Sequence, residues 1–247
     1  LDDTLYPLTS GLNAACAKNI GDYMVERLGV ERNKVTDFCG ELYKKYGTTM
    51  AGLRAVGYDF DYDDYHSFAH GRLPYEILKP DPVLKNLLLS MPQRKIIFTN
   101  GDKVHVSIVL SRLGLEDCFE DVICFETLNP HLETADNRNG WDTPISVIPN
   151  SPIICKPSKE ATERALSLAK ADPQRTIFFD DSPRNIAEGK QAGLHTVLVG
   201  TSIRTEGADF ALESIHNIKE ALPEIWEGNE NSENVVRSGR VVSIETI

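Results

Sequence analysis

Four short groups of residues carry side chains from which a site for phosphate chemistry could be built. In chain order they are Asp2-Asp3-Thr4, Thr99-Asn100-Gly101, Cys155-Lys156-Pro157 and Asp180-Asp181-Ser182. Cleavage of a phosphate monoester needs a nucleophile, a proton donor for the leaving alcohol and positive charge around the phosphoryl oxygens. Carboxylates, a hydroxyl, backbone amides and a lysine are the groups that supply these functions.

The adjacent acids Asp180 and Asp181 are the most specific of these signals. They follow the continuous apolar run at residues 177–179, which is typical of a parallel strand buried on both faces. Two neighbouring carboxylates at the end of a buried strand repel each other, and a hard cation such as Mg²⁺ relieves that repulsion. In the alternative interpretation, Asp181 or Ser182 only caps the helix that follows.

The other three groups are weak signals when each is taken alone. A strand that ends in Thr99-Asn100-Gly101 could simply turn there, and Lys156 ahead of a proline could be an ordinary surface lysine. Asp2, Asp3 and Thr4 could form a solvated turn or a helix cap. The order in which all four groups occur carries the functional interpretation.

That order resembles the four motifs of the haloacid dehalogenase (HAD) superfamily. The resemblance implies that Asp2 is the acid/base, that Thr99, Asn100, Gly101 and Lys156 bind phosphate, and that Lys156 is also catalytic. It further implies that Asp2, Asp180 and Asp181 hold Mg²⁺, and that Asn185 orients the metal-binding loop. A haloacid dehalogenase proper is disfavoured, because those enzymes lack the second aspartate of the first motif.

The first HAD motif reads Asp-x-Asp-x-Thr, and its first aspartate is the nucleophile that forms an aspartyl-phosphate. With Asp2 at the second aspartate, the resemblance places the nucleophile directly before Leu1. The central strand of the sheet is expected to precede it. The sequence therefore predicts a truncated chain that is inactive as it stands.

The spacing of apolar residues predicts an α/β fold with a Rossmann-like parallel sheet. Strands are predicted at residues 95–99, 121–125, 176–179, 195–199 and 208–212, and helices at 82–90, 102–113, 159–171, 183–192 and 215–222. Residues 9–80 carry helical stripes instead, including a short third helix at 50–56, and their position resembles the C1 cap of HAD proteins. The predicted domains are a core of residues 1–8 and 81–222, a helical cap of 9–80, a polar loop of 131–151 and a disordered tail of 223–247.

Several segments resemble one branch of the superfamily, the pyrimidine 5'-nucleotidases of fungi and plants. These segments are residues 1–7, 46–49, 71–75 and 179–182. The resemblance implies UMP- or CMP-like substrates, selected by Tyr46, Thr48, Thr49, His66 and Arg72 of the cap. Each of these five side chains could equally be structural. A phosphatase for another small phosphomonoester, and a phosphate-ligand binder without turnover, remain open.

Composition limits the possible partners. A formal net charge of −11 disfavours nucleic acid and anionic membranes, because either would repel the chain. No run reaches the ~18 apolar residues of a membrane span. The five cysteines are scattered, which predicts free thiols and a cytoplasmic location. The sequence does not indicate an oligomeric state.

Overall fold

The computed structural model describes residues 1–130 and 152–226 as an α/β protein with parallel strands, which confirms the predicted fold class. The strands are β1 (Ile96–Phe98), β2 (Asp121–Ile123), β3 (Ile177–Asp180), β4 (His195–Val199) and β5 (Phe210–Leu212). The helices are α1 (Leu12–Glu26), α2 (Val35–Tyr46), α3 (Thr49–Ala55), α4 (Tyr62–Ala69), α5 (Pro82–Ser90), α6 (Lys103–Leu113), α7 (Phe125–Leu128), α8 (Lys159–Ala169), α9 (Pro183–Gln191) and α10 (Ile218–Ala221). The predicted polar loop at 131–151 lies outside the described residues.

The described strands form two parallel sheets where the sequence predicted one. Strand β1 pairs with β2, and the second sheet has the order β3-β4-β5. Strands β1 and β3 do not pair in the part of the chain that the structure describes, but the rings of Phe98 and Phe178 lie 6.0 Å apart between them. The C-terminal ends of β1 and β3 therefore lie on the same side of the molecule.

Local capping determines where the helices that flank these strands begin and end. The carboxylate of Asp102 accepts hydrogen bonds from the backbone amides of Val104 and His105 at the start of α6, and Gly114 ends that helix with φ 71°. Asp81 accepts from the Leu84 amide in the same way and starts α5. These are the boundaries that the sequence predicts, because both signals depend only on neighbouring residues.

Helices α1 to α4 enclose an apolar cluster of their own, separate from the cluster beneath the strands. Tyr23, Met24 and Leu53 are almost fully buried at its centre. The sequence predicted α1, α2 and α3, whereas α4 was missed. That helix is short and begins with acidic residues, and its start depends on a hydrogen bond from the Asp64 amide to the Asp61 side chain.

The first four residues of the predicted C-terminal tail are ordered in the structure. Residues Pro223–Ile225 form a 3-10 turn, and Ile225 is buried against the second sheet. The indole of Trp226 donates a hydrogen bond to Ser90 Oγ at 2.9 Å. Apolar burial thus orders the first four residues of the predicted tail, and residues 227–247 lie outside the described part. Within residues 1–130 and 152–226, no helix has the length and hydrophobicity required to cross a membrane.

Gly47 is the residue through which the end of α2 contacts the loop at Lys156. Its φ is 91°, and a Cβ added there would lie 2.7 Å from the Lys156 carbonyl oxygen. Replacing Gly47 by alanine combines backbone strain with a clash, and we expect it to lower the free energy of unfolding by roughly 1–3 kcal/mol.

The matched control for this substitution is Gly40→Ala. Gly40 lies inside α2 with open space around it, so alanine should stabilise the helix by up to about 1 kcal/mol. Urea unfolding of both variants measures the difference. Equal effects of the two substitutions would contradict the close approach of Gly47 to Lys156.

Candidate active site

A small cavity lies at the C-terminal ends of β1 and β3. Its volume is about 120 Å³, and the residues that line it come from all four of the sequence groups. They are Leu1, Asp2, Thr99, Asn100, Gly101, Lys156, Asp180, Asp181 and Asn185. The structure therefore brings together residues as far apart in the chain as Asp2 and Asp181, which the sequence predicted as one site.

A buried ion pair joins the two strand ends at the base of this cavity. Lys156 Nζ lies 2.7 Å from Asp180 Oδ2, and it also donates to the carbonyl oxygen of Phe98 at 2.9 Å. The Lys156 and Asp180 side chains are only 8% and 4% exposed. Burial raises the pKa of Asp180, but the charge and hydrogen bond of Lys156 outweigh it and hold the pKa below its usual range.

Both oxygens of Asp180 are occupied. Oδ2 accepts a hydrogen bond from the Lys156 ammonium. Oδ1 accepts hydrogen bonds from the Ser182 amide at 2.9 Å and from Asn185 Nδ2 at 2.8 Å. The Asn185 side chain orients the loop after β3 through this contact. A cation at Asp180 would share its oxygens with these donors.

Asp181 has far fewer partners than its neighbour. Its Oδ1 accepts a long hydrogen bond of 3.4 Å from Thr4 Oγ1, and no other side chain of the described residues donates to it. Burial, and then the negative charge of Asp180, raise the pKa of Asp181 to about 6. Among the described residues, no lysine, arginine or histidine side chain pairs with this carboxylate.

The donor set of the cavity suits a cation shared between the protein and a phosphate. In residues 1–130 and 152–226, no three His, Cys, Asp or Glu side chains converge to form a complete metal site. Mg²⁺ is commonly held by one or two carboxylates and completes its coordination with water and phosphate oxygens. Asp181 is a carboxylate of this kind, and the family resemblance implies the backbone carbonyl oxygen of Asp2 as a second oxygen ligand.

The group after β1 positions the lysine loop. Asn100 makes two side-chain hydrogen bonds to the backbone of Lys156, through Nδ2 to the carbonyl oxygen at 3.0 Å and through Oδ1 from the amide at 2.8 Å. Thr99 is buried, and its Oγ1 accepts from the Gly101 amide at 3.1 Å. The Asn100 side chain is therefore committed to the loop, which leaves the Thr99 hydroxyl and the lysine facing the cavity.

Asp2 is held by two side chains that the sequence did not indicate. Tyr6 donates its hydroxyl to Oδ1 at 2.5 Å, and His105 Nε2 lies 2.7 Å from the same oxygen. The surrounding protein raises the pKa of Asp2 by desolvation, but His105 outweighs this effect and holds the pKa well below its usual range. His105 stands on the first turn of α6, directly after the Thr99 group, and this position was the signal that could have identified it.

The five predicted substrate residues of the cap do not line this cavity. Thr48 caps α3 by accepting from the Ala51 amide, and Thr49 is buried. The ring of His66 packs on Phe125 with centroids 4.6 Å apart, and the Arg72 guanidinium lies 3.4 Å from the centre of the Phe68 ring. The Lys45 ammonium lies 5.2 Å from the centre of the Tyr46 ring. Their predicted role toward a substrate stays a prediction.

A second contact holds the cap against the core near the cavity. Arg184 at the start of α9 donates from Nη1 to the carbonyl oxygens of Tyr43 and Lys44, at 3.0 and 3.2 Å. Its guanidinium also lies 4.2 Å from the centre of the Tyr43 ring. These carbonyls belong to the last turn of α2, where a cation is favoured by the helix dipole.

Comparisons with known proteins identify the family of this architecture. The structure aligns with that of a HAD phosphatase from Thermococcus onnurineus, with a TM-score of 0.53 and 17% identity over 90% of this chain and 94% of the other. It aligns similarly with the HAD-hydrolase YfnB from Bacillus subtilis bound to magnesium, with a TM-score of 0.54 and 18% identity over 90% and 96% of the two chains. At such identities the likeness concerns the fold. The sequence model of the haloacid dehalogenase-like hydrolases matches residues 7–193, and the chain belongs to this family.

Proposed function

We propose that this protein is a Mg²⁺-dependent phosphomonoester hydrolase that acts through an aspartyl-phosphate, and that its substrates are pyrimidine nucleoside 5'-monophosphates. The observation that carries the proposal is the convergence of Lys156, Thr99, Asp181 and Asp2 on one small cavity. A buried ammonium, a hydroxyl, an uncompensated carboxylate and a second carboxylate form a set that suits a phosphoryl group and its counter-ion.

Each side chain of the cavity has its own role in the proposed reaction. Lys156 and the Thr99 hydroxyl attract the phosphoryl oxygens, and Asp2 exchanges a proton with the leaving oxygen and then with the attacking water. The resemblance to the family places the nucleophilic aspartate directly before Leu1. Removing a catalytic nucleophile commonly lowers the rate by at least roughly a thousandfold, so we propose that phosphate release depends on this aspartate.

A magnesium ion would be held by the Asp181 carboxylate and by the backbone carbonyl oxygen of Asp2, with Asp180 orienting the loop. When it is bound, Mg²⁺ offsets the negative charge of the phosphoryl oxygens. The pKa of Asp181 near 6 supports this assignment, because a carboxylate destabilised by its surroundings gains most from a cation beside it.

The size of the cavity bears on the substrate. Pockets for drug-sized ligands typically measure roughly 300–1,000 Å³, whereas this cavity holds about 120 Å³. It can take a phosphoryl group, and the group esterified to the phosphate would extend beyond it. Because the cavity accounts only for the phosphoryl group, a second candidate is a phosphatase for another small phosphomonoester such as a sugar phosphate.

The first test is phosphate release from a panel of monophosphates that includes UMP, CMP and sugar phosphates, with and without Mg²⁺. It compares the chain that begins at Leu1 with one that carries an apolar strand and an aspartate before Leu1. We expect Mg²⁺-dependent release from the extended chain only, with the pyrimidine nucleotides the best substrates. Faster phosphate release from sugar phosphates than from the nucleotides would support the second candidate. The absence of release from every substrate would contradict phosphatase function.

A second prediction concerns Asp181 and pH. The folded-state pKa of about 6 lies above the value of about 3.9 for an unfolded aspartate, so the folded state binds more protons between these values and stability falls as pH rises through them. Without divalent cations, Asp181→Asn should therefore be more stable than the wild type at pH 7.5. The difference should vanish below about pH 4, where the wild-type carboxyl is protonated in both states.

Denaturant unfolding at pH 4, 5.5 and 7.5 measures this effect, and the same series with Mg²⁺ measures the role of the cation. Mg²⁺ should stabilise the wild type at pH 7.5 more than Asp181→Asn. Lys190→Met, which removes an exposed partner of Asp209, is a control outside the site. A stability difference independent of pH, or equal stabilisation of both chains by Mg²⁺, would contradict the assignment of Asp181.

A further inference from the structure

Both hydrogen bonds that reach the Asp2 carboxylate end on one oxygen. Tyr6 and His105 contact Oδ1, whereas Oδ2 takes no side-chain or backbone hydrogen bond from the rest of the described chain. The Asp2 side chain is 38% exposed and lines the cavity. Because Oδ1 faces two donors, a proton on this carboxyl group is favoured on Oδ2.

The imidazole that holds Asp2 is itself fixed on its other side. His105 Nδ1 lies 2.7 Å from the hydroxyl of Tyr75, and the His105 side chain is only 3% exposed. Because a carboxylate oxygen accepts hydrogen bonds, the contact between His105 Nε2 and Asp2 Oδ1 calls for a proton on Nε2. A neutral imidazole with that proton accepts at Nδ1, where the Tyr75 hydroxyl can donate.

Residues from the cap pack against the same imidazole. The ring of His70, at the end of α4, stacks on His105 with centroids 4.4 Å apart and planes at 25°. His70 Nδ1 contacts Asp102 Oδ1, and Oδ2 of that carboxylate accepts from the His105 amide at 3.2 Å. Burial lowers the pKa of His70, but the hydrogen bond to Asp102 outweighs this and raises it to about 10. One carboxylate thus fixes both the turn that carries His105 and the ring stacked on it.

We propose that His105 and Tyr6 are positioning residues for the acid/base Asp2, and that Tyr75 fixes the tautomer of His105. They hold Oδ1 so that Oδ2 alone exchanges the proton with the leaving oxygen. When the ester bond breaks, a proton carried on Oδ2 moves to the leaving oxygen and leaves Asp2 as the carboxylate, which is the form that the hydrogen bonds to Oδ1 stabilise. This inference rests on the proposed function, since it assigns partners to the acid/base of that reaction.

A merely structural role for His105 predicts a different pattern. A packing defect lowers the rate for every substrate alike, whereas loss of a positioned acid matters only where the leaving group needs a proton. An alkyl alcohol leaving from a nucleoside 5'-monophosphate needs one. The nitrophenolate that leaves p-nitrophenyl phosphate does not.

The experiment measures kcat/KM for UMP and for p-nitrophenyl phosphate in the chain with an aspartate before Leu1. For His105→Leu we expect a fall of roughly 100-fold with UMP and less than about threefold with p-nitrophenyl phosphate. KM should change little, because Lys156 and Thr99 remain. His105→Gln keeps a donor near the Nε2 position and should recover most of the loss, and Tyr6→Phe should show the same substrate dependence in weaker form.

His216→Leu is the matched control. His216 Nε2 lies 2.8 Å from Asp81 Oδ2 in a histidine–aspartate pair of similar geometry outside the cavity, and we expect unchanged rates with both substrates. Equal losses with both substrates in His105→Leu and Tyr6→Phe would overturn the proposal. Activity of the unmodified extended chain separates this failure from failure of the proposed function.

A second measurement does not depend on activity. It tests the proposal even if the chain releases no phosphate or a variant does not fold. Long-range proton–nitrogen NMR spectra of the full chain report which ring nitrogen of His105 carries the proton. We expect it on Nε2, with the other tautomer gaining population in Tyr75→Phe. A proton found on Nδ1 alone would overturn the proposal.

Discussion

The ammonium of Lys156 lies between the ends of two strands that belong to different sheets, and the rest of the site depends on this placement. It contacts the carbonyl oxygen of Phe98 at the end of β1 and the carboxylate of Asp180 at the end of β3. Breaking a buried pair of this kind by removing one partner typically costs about 3–5 kcal/mol, because the remaining charge is left uncompensated. The pair therefore fixes the separation of the two strand ends as well as the charge of the cavity.

Two asparagine side chains hold the partners of this ion pair in place. Asn100 clamps the backbone of the lysine loop, and Asn185 holds the second oxygen of Asp180. With Asp180 fully occupied by its donors, the uncompensated negative charge falls on Asp181. The unequal environments of these two adjacent acids give them different roles, one structural and one open to a cation.

The cap meets the core through polar contacts as well as through apolar packing. Arg184 binds the last carbonyls of α2, while the rings of His66, His70 and His105 stack in series on the opposite flank. Burial lowers the pKa of His66 to about 4, whereas Asp102 raises that of His70 to about 10. Two histidines one helical turn apart thus differ in charge at neutral pH, and the charged one lies beside the carboxylate that fixes α6.

The sequence predicted those parts of the structure whose signals are local. Continuous apolar runs marked the buried strands, and Asp102, Asp81 and Gly114 marked helix ends through contacts within a few residues. The contact of Arg184 with Tyr43 joins residues 141 positions apart, so no local pattern could indicate it. For His105 the only local signal was its place just after the Thr99 group, which does not by itself show the contact with Asp2. The division into two sheets likewise depends on pairing across the whole core.

The substrate role of the cap residues was also beyond local patterns. Thr48 and Arg72 have side chains suited to a ligand, and in the structure they form a helix cap and an aromatic contact, while their role toward a substrate stays a prediction. The Asn100 side chain binds the lysine loop, and the phosphate contact predicted for the backbone amides of this group stays a prediction as well.

The central claim is that Asp181 and Lys156 face a shared phosphate and cation, and anomalous diffraction tests it most directly. Crystals of the protein soaked with inorganic phosphate and Mn²⁺, as a detectable substitute for Mg²⁺, would show where the cation lies. We predict a manganese peak within coordination distance of Asp181, with phosphate between it and the Lys156 ammonium. Phosphate and manganese bound elsewhere, with this cavity holding neither, would contradict the account.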